Sequence, residues 1–279
     1  GRARAAHPAG GGVMAAPRLS PMARPAAPAP RPLAEEAAVA LVYDATTQAV
    51  MMATPSDLED FAAGFTLTEG IARSLSDIAE LEVVAHPQGI ECRMWLAEDR
   101  AEALAARRRA MAGPVGCGLC GIDSLEAAVR PAAEVTAPLA LPRAEIPAAT
   151  EALRAAQPLH DATRAVHGAG LWVPGEGLIA AREDVGRHNA LDKLAGALAR
   201  GGADARRGAV VLTSRVSVEM VQKAAAMGAP VIVAVSAPTA AAVRLAEAAG
   251  MTLVARARDG AFEIAAHPHR IVERPPHVA

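Results

Sequence analysis

The chain has 279 residues and carries 28 lysine and arginine side chains against 30 carboxylates. This near balance gives no global field that would favour a nucleic acid or a membrane, and an aromatic content of 2% argues against a surface that stacks single-stranded bases. Three cysteines are too few for a disulfide framework, and charges interrupt the longest apolar stretch, 208–237. We therefore expect a soluble protein of the reducing cytoplasm.

The first 32 residues are mostly alanine, proline, glycine and arginine. Such a segment cannot bury enough surface to offset the entropy lost on ordering, so residues 1–32 are predicted to be disordered. The remainder is long enough for one large domain, or for a domain with a smaller lobe. We expect an N-terminal β/α lobe over 33–130, a proline-rich connector over 131–147 and an α/β domain over 148–279.

The first half of the chain contains two predicted strand pairs with a helix between them. Thr54-Pro55 is expected to open this helix, with Ser56 and Glu59 at capping-box spacing. The other predicted elements are strands over 37–43, 48–52, 81–85 and 90–96 and a helix over 98–111.

Two cysteines follow in a glycine-rich loop, Gly116-Cys117-Gly118-Leu119-Cys120-Gly121. A CxxC pair can bind zinc, exchange disulfides or carry sulfur as a persulfide. A structural zinc site needs four ligands, and the chain has no second CxxC. The surrounding glycines favour an adaptable loop that visits two partners over a rigid redox centre. Cys92, in an alternating strand, is interpreted as a small buried residue.

The second half alternates strands with helices, which is typical of βαβ units and a largely parallel sheet. Crossovers between its parallel strands are expected to be right-handed. The predicted strands cover 178–181, 208–213, 230–235 and 251–255, with 262–265 as a hairpin partner, and the predicted helices cover 187–200, 217–227 and 238–249.

Charged or hydroxyl-rich turns follow the four main strands of this half. Ligands of open α/β sheets bind beyond the carboxyl ends of the strands, where helix N-termini offer free N–H groups to phosphates. Helix capping alone would explain the same residue types, and none of these turns contains GxGxxG or a P-loop. His188 could be a general acid, a donor to phosphate or a helix-start hydrogen bonder. Charge-assisted bonds to an anion could come from Arg187, Arg215, Arg256 and Arg258.

Lysine is rare in this chain, because only Lys193 and Lys223 among the 28 basic residues are lysines. Under such a bias towards arginine, the two lysines either survive by chance or serve a functional or tight structural purpose. The sequence leaves both interpretations open.

Several motifs resemble those of the formate dehydrogenase accessory sulfurtransferase family (FdhD-type). The cysteine loop has the CGxCG pattern of that family, and residues 182–194, REDVGRHNALDKL, are its most specific signature. Both lysines fall inside such motifs. Further matching segments are 61–65, 67–70, 218–224, 235–239 and His267-Pro268, within a resemblance that spans roughly 33–271.

The resemblance implies a fold and an activity. Family members resemble cytidine deaminases, so the expected fold class is α/β, a three-layer sandwich around a largely parallel or mixed sheet, with the smaller N-terminal lobe. Members are taken to receive sulfur from a cysteine desulfurase as a cysteine persulfide. They pass it to the molybdenum of bis(molybdopterin guanine dinucleotide) before formate dehydrogenase receives this cofactor. The chain would be a sulfurtransferase and a homodimer.

The resemblance also implies roles for individual residues. Cys117 corresponds to the persulfide carrier, and Cys120 would assist or resolve. The domain over 148–279 would bind the molybdenum cofactor as a substrate, with no permanent metal. The expected cofactor-binding residues are Arg256, Ala257, Arg258, Asp259, Gly260 and Ala261, together with Arg187 and His188.

Two other function classes stay open. The chain could be a chaperone that holds the molybdenum cofactor without thiol chemistry, or a thiol–disulfide oxidoreductase. Deaminase activity is not expected, because the HxE and PCxxC zinc signature is missing. The expected partners are a cysteine desulfurase, formate dehydrogenase and the molybdenum cofactor, with neither nucleic acid nor membrane.

Overall fold

Two sheets organise the chain, whose computed structural model describes residues 31–111 and 131–273. The smaller sheet packs Leu41, Cys92 and Met94 against Phe61 and Leu104 of its two helices. Its elements confirm the pattern predicted for the first half. They are β1 (Ala37–Tyr43), β2 (Thr46–Ala53), β3 (Ile78–His86) and β4 (Gly89–Leu96), in the order β2-β1-β4-β3, with α1 (Leu58–Thr68) and α2 (Glu98–Met111).

The start of α1 differs from the prediction. The helix begins at Leu58, after Asp57, whose φ of 51° lies in the left-handed region and whose side chain makes no capping hydrogen bond. The capping box predicted from Ser56 and Glu59 is therefore wrong. The physical reason is that the polar groups of Thr54 form hydrogen bonds with a turn that is distant in sequence, so the chain enters the helix later.

The larger sheet has six strands and is mixed. They are β6 (His167–Val173), β7 (Gly177–Asp184), β8 (Ala209–Leu212), β9 (Val231–Ala234), β10 (Thr252–Arg258) and β11 (Ala261–Ala266), in the order β11-β10-β9-β8-β6-β7. Only the β8–β9 and β9–β10 pairs are parallel, so the mixed form of the prediction is right and the largely parallel form is wrong. Because β6 is antiparallel to both neighbours, β7 runs in the same direction as β8. The carboxyl ends of β7, β8, β9 and β10 therefore share one edge.

Helices cover both faces of the larger sheet. One face forms a core that includes Leu194 and Ile232, and the other forms a core that includes Ile146 and Val233. This confirms the predicted three-layer α/β sandwich. The helices are α3 (Glu145–Ala155) and the short α4 (Pro158–Thr163), then α5 (Arg187–Gly201), α6 (Val218–Ala226) and α7 (Ala240–Ala248), while β5 (Leu141–Pro142) pairs with β12 (Ile271–Val272).

Besides the two-residue strands β5 and β12, the elements β6, α3 and α4 were not predicted from the sequence pattern. Glycines at 168 and 170 weaken the strand signal of β6, although the strand is central and buried. Helix α3 starts inside the segment interpreted as a connector and carries Pro147 in its first turn, where proline is tolerated. The predicted boundaries at 130 and 148 stay predictions, and residues 1–30 lie outside the described ranges. Within those ranges, no helix is both long and apolar enough to span a bilayer.

Candidate functional site

The turns that follow β8, β9 and β10 adjoin one another along the shared edge. The Val216 amide donates to the Ala237 carbonyl at 3.3 Å, and the Thr239 amide donates to the Val216 carbonyl at 2.9 Å. The Arg256 amide donates to the Ser236 carbonyl at 3.1 Å. The structure therefore brings these predicted turns together into one continuous rim.

The turn that follows β7 joins this rim where α5 and α6 begin. Gly186 precedes α5 and Ser217 precedes α6, and neither of these two N-cap residues makes a side-chain hydrogen bond to its helix. His188 Nε2 lies 3.9 Å from Glu219 Oε2, which places the two helix starts side by side. We call the group of Arg187, His188 and Ser217 the α5–α6 corner. Uncapped helix N-termini are favourable positions for an anion.

Three buried polar atoms of the α5–α6 corner have no hydrogen-bond partner among the described residues, namely Arg187 Nε, His188 Nε2 and Ser217 Oγ. An unpaired buried polar group costs about 1–3 kcal/mol, so such atoms normally have a reason to be there. A phosphate oxygen would satisfy a guanidinium N–H and an imidazole N–H at once. The corner thus has the donors that a phosphate-bearing ligand requires.

The imidazole of His188 is neutral near pH 7. Its pKa is lowered to about 4, mainly because burial disfavours the imidazolium and also because Arg187 and Lys223 lie near it, while Glu219 and Glu69 act in the opposite sense. A neutral imidazole can donate one hydrogen bond to an anion but adds no positive charge. Of the predicted roles, a neutral imidazole suits a donor to phosphate better than a general acid.

Both lysines are buried in ion pairs. Lys193 Nζ lies 2.7 Å from Asp184 Oδ2, and neither side chain is exposed. Lys223 Nζ lies 2.9 Å from Asp192 Oδ1 and 2.7 Å from Glu69 Oε1. The tight structural reason that the sequence left open is confirmed, because each ammonium pairs with a buried aspartate.

The C-terminal segment assigned to the cofactor is the tip of the hairpin between β10 and β11. Arg258 pairs with Ala261 across the turn. The turn residues Asp259 and Gly260 have φ values of 53° and 77°, as a two-residue hairpin with Asp-Gly favours. These four residues are exposed, so a ligand at the rim could reach them.

The two preceding residues of this segment point to opposite environments. The side chain of Arg256 is exposed, and its Nη1 lies 3.2 Å from Glu263 Oε1. The side chain of Ala257 is buried in the core. Ala257 could therefore contact a ligand only through its backbone.

Comparison with known proteins shows which family this chain belongs to. The sequence matches the FdhD/NarQ family over residues 34–272. The chain belongs to the FdhD/NarQ family. A protein named sulfur carrier protein FdhD from Agrobacterium fabrum is 54% identical over 243 residues, which cover 87% of this chain and 90% of the relative. One of the same name from Brucella abortus is 57% identical over 240 residues, which cover 86% of this chain and 89% of the relative.

A solved structure supports the same placement in the FdhD/NarQ family. The crystal structure of a candidate formate dehydrogenase accessory protein from Desulfotalea psychrophila is 30% identical to this chain and superposes with a TM-score of 0.65. The match covers 86% of this chain and 90% of that protein. The resemblance inferred from the sequence motifs is therefore confirmed.

The two cysteines assigned to sulfur chemistry in this FdhD/NarQ chain, Cys117 and Cys120, lie outside the described residues. Cys92 is described and fully buried, and burial raises the pKa of its thiol to about 12. A thiol of that pKa has almost no thiolate at neutral pH, which confirms Cys92 as a structural residue. Among the described histidines, cysteines and carboxylates, no group of three or more is placed to hold a metal ion.

Two residues beside the α5–α6 corner of this FdhD/NarQ chain were not singled out from the sequence. Thr54 was interpreted as the start of a helix, and Asp184 was noted only as a residue within the family signature. Both are buried and hydrogen-bonded to each other. The available signal was the position of Asp184 in the turn that follows a predicted strand, two residues before Gly186.

Proposed function

We propose that this chain is a sulfur carrier for the molybdenum cofactor of formate dehydrogenase. It would accept sulfur from a cysteine desulfurase on Cys117 and transfer it to bis(molybdopterin guanine dinucleotide). The observation that carries the proposal is the identity of 54–57%, over nearly the whole chain, to relatives named sulfur carrier protein FdhD. We also propose that it works in the cytoplasm as a homodimer.

The sulfur step follows from thiol chemistry. The Cys117 thiolate attacks the outer sulfur of the desulfurase persulfide, so that a new S–S bond forms on Cys117 and the desulfurase cysteine leaves as a thiolate. In the second step the Cys120 thiolate attacks Cys117, a Cys117–Cys120 disulfide forms, and hydrosulfide leaves to bind molybdenum. A cellular dithiol then reduces the disulfide, which restores both cysteines for the next cycle.

The rim of the larger sheet would hold the nucleotide arms of the cofactor. Each arm carries phosphates, and the α5–α6 corner supplies the unpartnered Arg187 Nε and His188 Nε2 beside two helix N-termini. Arg258 and the hairpin turn lie at the same end of the sheet. This placement supports an anionic ligand at the rim.

The cellular test replaces the proposed carrier residue. Cys117→Ala should abolish activation of formate dehydrogenase in cells that lack their own copy of this protein. Cys92→Ala is the matched control, because it removes a buried thiol whose raised pKa keeps it unreactive, and it should retain activity. Full activity of the Cys117→Ala variant would refute the relay.

A second test separates a relay from a chaperone that only holds the cofactor. After incubation with a cysteine desulfurase and cysteine, mass spectrometry should find one added sulfur, about 32 Da, on the peptide that contains Cys117. Binding of guanosine diphosphate without any such adduct would favour the chaperone. Rapid disulfide exchange with small substrates would favour an oxidoreductase.

A further inference from the structure

Asp184 ties together both ends of the turn that leads into α5. Its Oδ1 accepts hydrogen bonds from the Gly186 amide at 2.8 Å and from Asn189 Nδ2 at 3.0 Å. Its Oδ2 accepts from the Thr54 amide at 2.9 Å and lies 2.7 Å from Lys193 Nζ. The carboxylate has no exposed surface, so these partners replace the water that it loses on burial.

Thr54 completes the same arrangement from the smaller sheet. Its hydroxyl accepts from the Val185 amide at 3.1 Å, and its carbonyl accepts from Lys193 Nζ at 2.9 Å. Two residues earlier on β2, the Met52 carbonyl accepts from Asn189 Nδ2 at 2.9 Å. We call Thr54, Asp184, Asn189 and Lys193 the clamp. It joins the end of β2 to the turn that follows β7.

The clamp brackets the residues that carry the unpartnered donors. Arg187 and His188 lie between Gly186 and Asn189, both of which are bonded to Asp184. The backbone of Val185 is held by Thr54. The start of α5 is therefore held on both sides. The side chains of Arg187 and His188 extend from a backbone that has little freedom to shift.

Stability alone is a weak reason for such an arrangement. A buried ion pair costs desolvation on both sides, and an apolar pair of similar volume often gives equal or greater stability. A site that binds a ligand, in contrast, needs its contacting groups held close to the productive geometry by residues behind them. The clamp has the arrangement that a binding site needs, because its members contact the turn from behind and do not themselves carry the unpartnered donors.

We propose that Thr54 and Asp184 are positioning residues that set the α5–α6 corner for a phosphate-bearing nucleotide. This inference rests on the proposed function, in which that corner holds the guanine dinucleotide arms. Thr54 couples the smaller sheet to the α5–α6 corner. The last helix that packs on this sheet, α2, precedes the cysteine segment in the chain. Removing the hydroxyl of Thr54 releases Val185 and lets Arg187 and His188 move, without removing any group that touches the ligand.

The test compares variants of the full chain with guanosine diphosphate as the probe. Asp184→Asn would leave the buried Lys193 ammonium without its charge partner, so the milder change Thr54→Val carries the test. We expect Thr54→Val to raise the dissociation constant roughly five- to tenfold, because one buried hydrogen bond behind the corner is lost. Thr54→Ser should restore binding to within about twofold. Calorimetry should be run well below the thermal midpoint of every variant.

Thr150→Val is the matched control, since its hydroxyl bonds the Pro147 carbonyl in α3, on the opposite face of the larger sheet. It should bind the probe as the wild type does. A lower thermal midpoint for Thr54→Val with an unchanged dissociation constant would overturn the positioning role and leave the proposed function intact. Absence of binding by the wild-type chain would overturn both the nucleotide corner and the clamp's role in it. The adduct on Cys117 would still report separately on the sulfur step.

Discussion

Gly64 of α1 lies directly against Gly196 of α5. A Cβ added at Gly64 would be 2.7 Å from the Gly196 nitrogen and 1.7 Å from the Asp192 carbonyl oxygen, and one added at Gly196 would be 1.9 Å from the Asp60 carbonyl oxygen. The two helix backbones therefore touch without intervening side chains. This close approach joins the smaller sheet to the helical layer of the larger one.

Gly64→Ala is expected to destabilise the protein strongly. The new methyl group collides with the backbone of α5, which cannot rotate away as a flexible side chain would, so the helices must separate. Overpacking of this kind costs about 1–3 kcal/mol or more. Urea unfolding measures the change. Gly201→Ala, at the end of α5 with no atom within 4 Å of the new Cβ, is the control and should be neutral or stabilising. Equal losses for both variants would contradict the proposed contact.

Lys223→Met is expected to cost about 3–5 kcal/mol, because it leaves the buried Asp192 carboxylate without its cation. Burial already raises the pKa of Asp192 even with Lys223 present to lower it. Without Lys223 that pKa rises further, so the loss should shrink as the pH falls and the carboxyl takes up a proton. Arg154→Met, which breaks the exposed pair with Glu151, is the control and should cost less than about 1 kcal/mol. A loss independent of pH would argue against the pair as its cause.

His188→Gln should change how stability depends on pH. The folded-state pKa of His188 is about 4 against an ordinary value of 6.5, so between these values the unfolded chain binds a proton that the folded chain does not. The contribution of His188 to stability is therefore fully present above about pH 6.5 and is lost as the pH falls towards about 4. As the pH falls from about 6.5 to about 4, the free energy of unfolding of the variant should therefore rise relative to that of the wild type. A constant difference from pH 8 to pH 4, measured by urea unfolding, would contradict the lowered pKa.

Arg187→Met should weaken the binding of guanosine diphosphate about ten- to hundredfold, since a charge-assisted hydrogen bond to phosphate contributes roughly 1.5–3 kcal/mol. Binding should also become less sensitive to salt, because one cation at the ligand is lost. Arg206→Met is the control, since Arg206 is exposed and paired with Asp204 away from the rim. If both variants bind alike under titration calorimetry, Arg187 does not contact the nucleotide.

Local patterns were enough for much of the fold. Alternation predicted β1 and β4, the strand–helix rhythm predicted β8 to β10 with α6 and α7, and Cys92 was assigned to the interior before any contact was known. The apolar segment 262–265 was predicted as a hairpin partner of the strand over 251–255, and β10 and β11 form that hairpin. These features depend on residues that are close in sequence, where periodicity and turn chemistry act directly.

Other features depended on partners far along the chain. Glycine content concealed β6, and its insertion between β7 and β8 made the sheet mixed, since strand order depends on long-range pairing. Thr54 was predicted to open a helix, yet its polar groups bond Asp184 and Val185, which lie 130 and 131 positions away. The lysines stood out in the sequence, but only packing showed that each neutralises a buried aspartate.

The sequence by itself determined the family, the α/β class and the strand ends that carry charged or hydroxyl-rich turns, because hydrophobic period and motif spacing are local properties of the chain. Only the tertiary structure decided which groups meet at those ends. Among the residues that the structure describes, it left Arg187 Nε and His188 Nε2 without hydrogen-bond partners and placed Thr54 behind them, since burial and hydrogen bonding depend on segments that come together through folding.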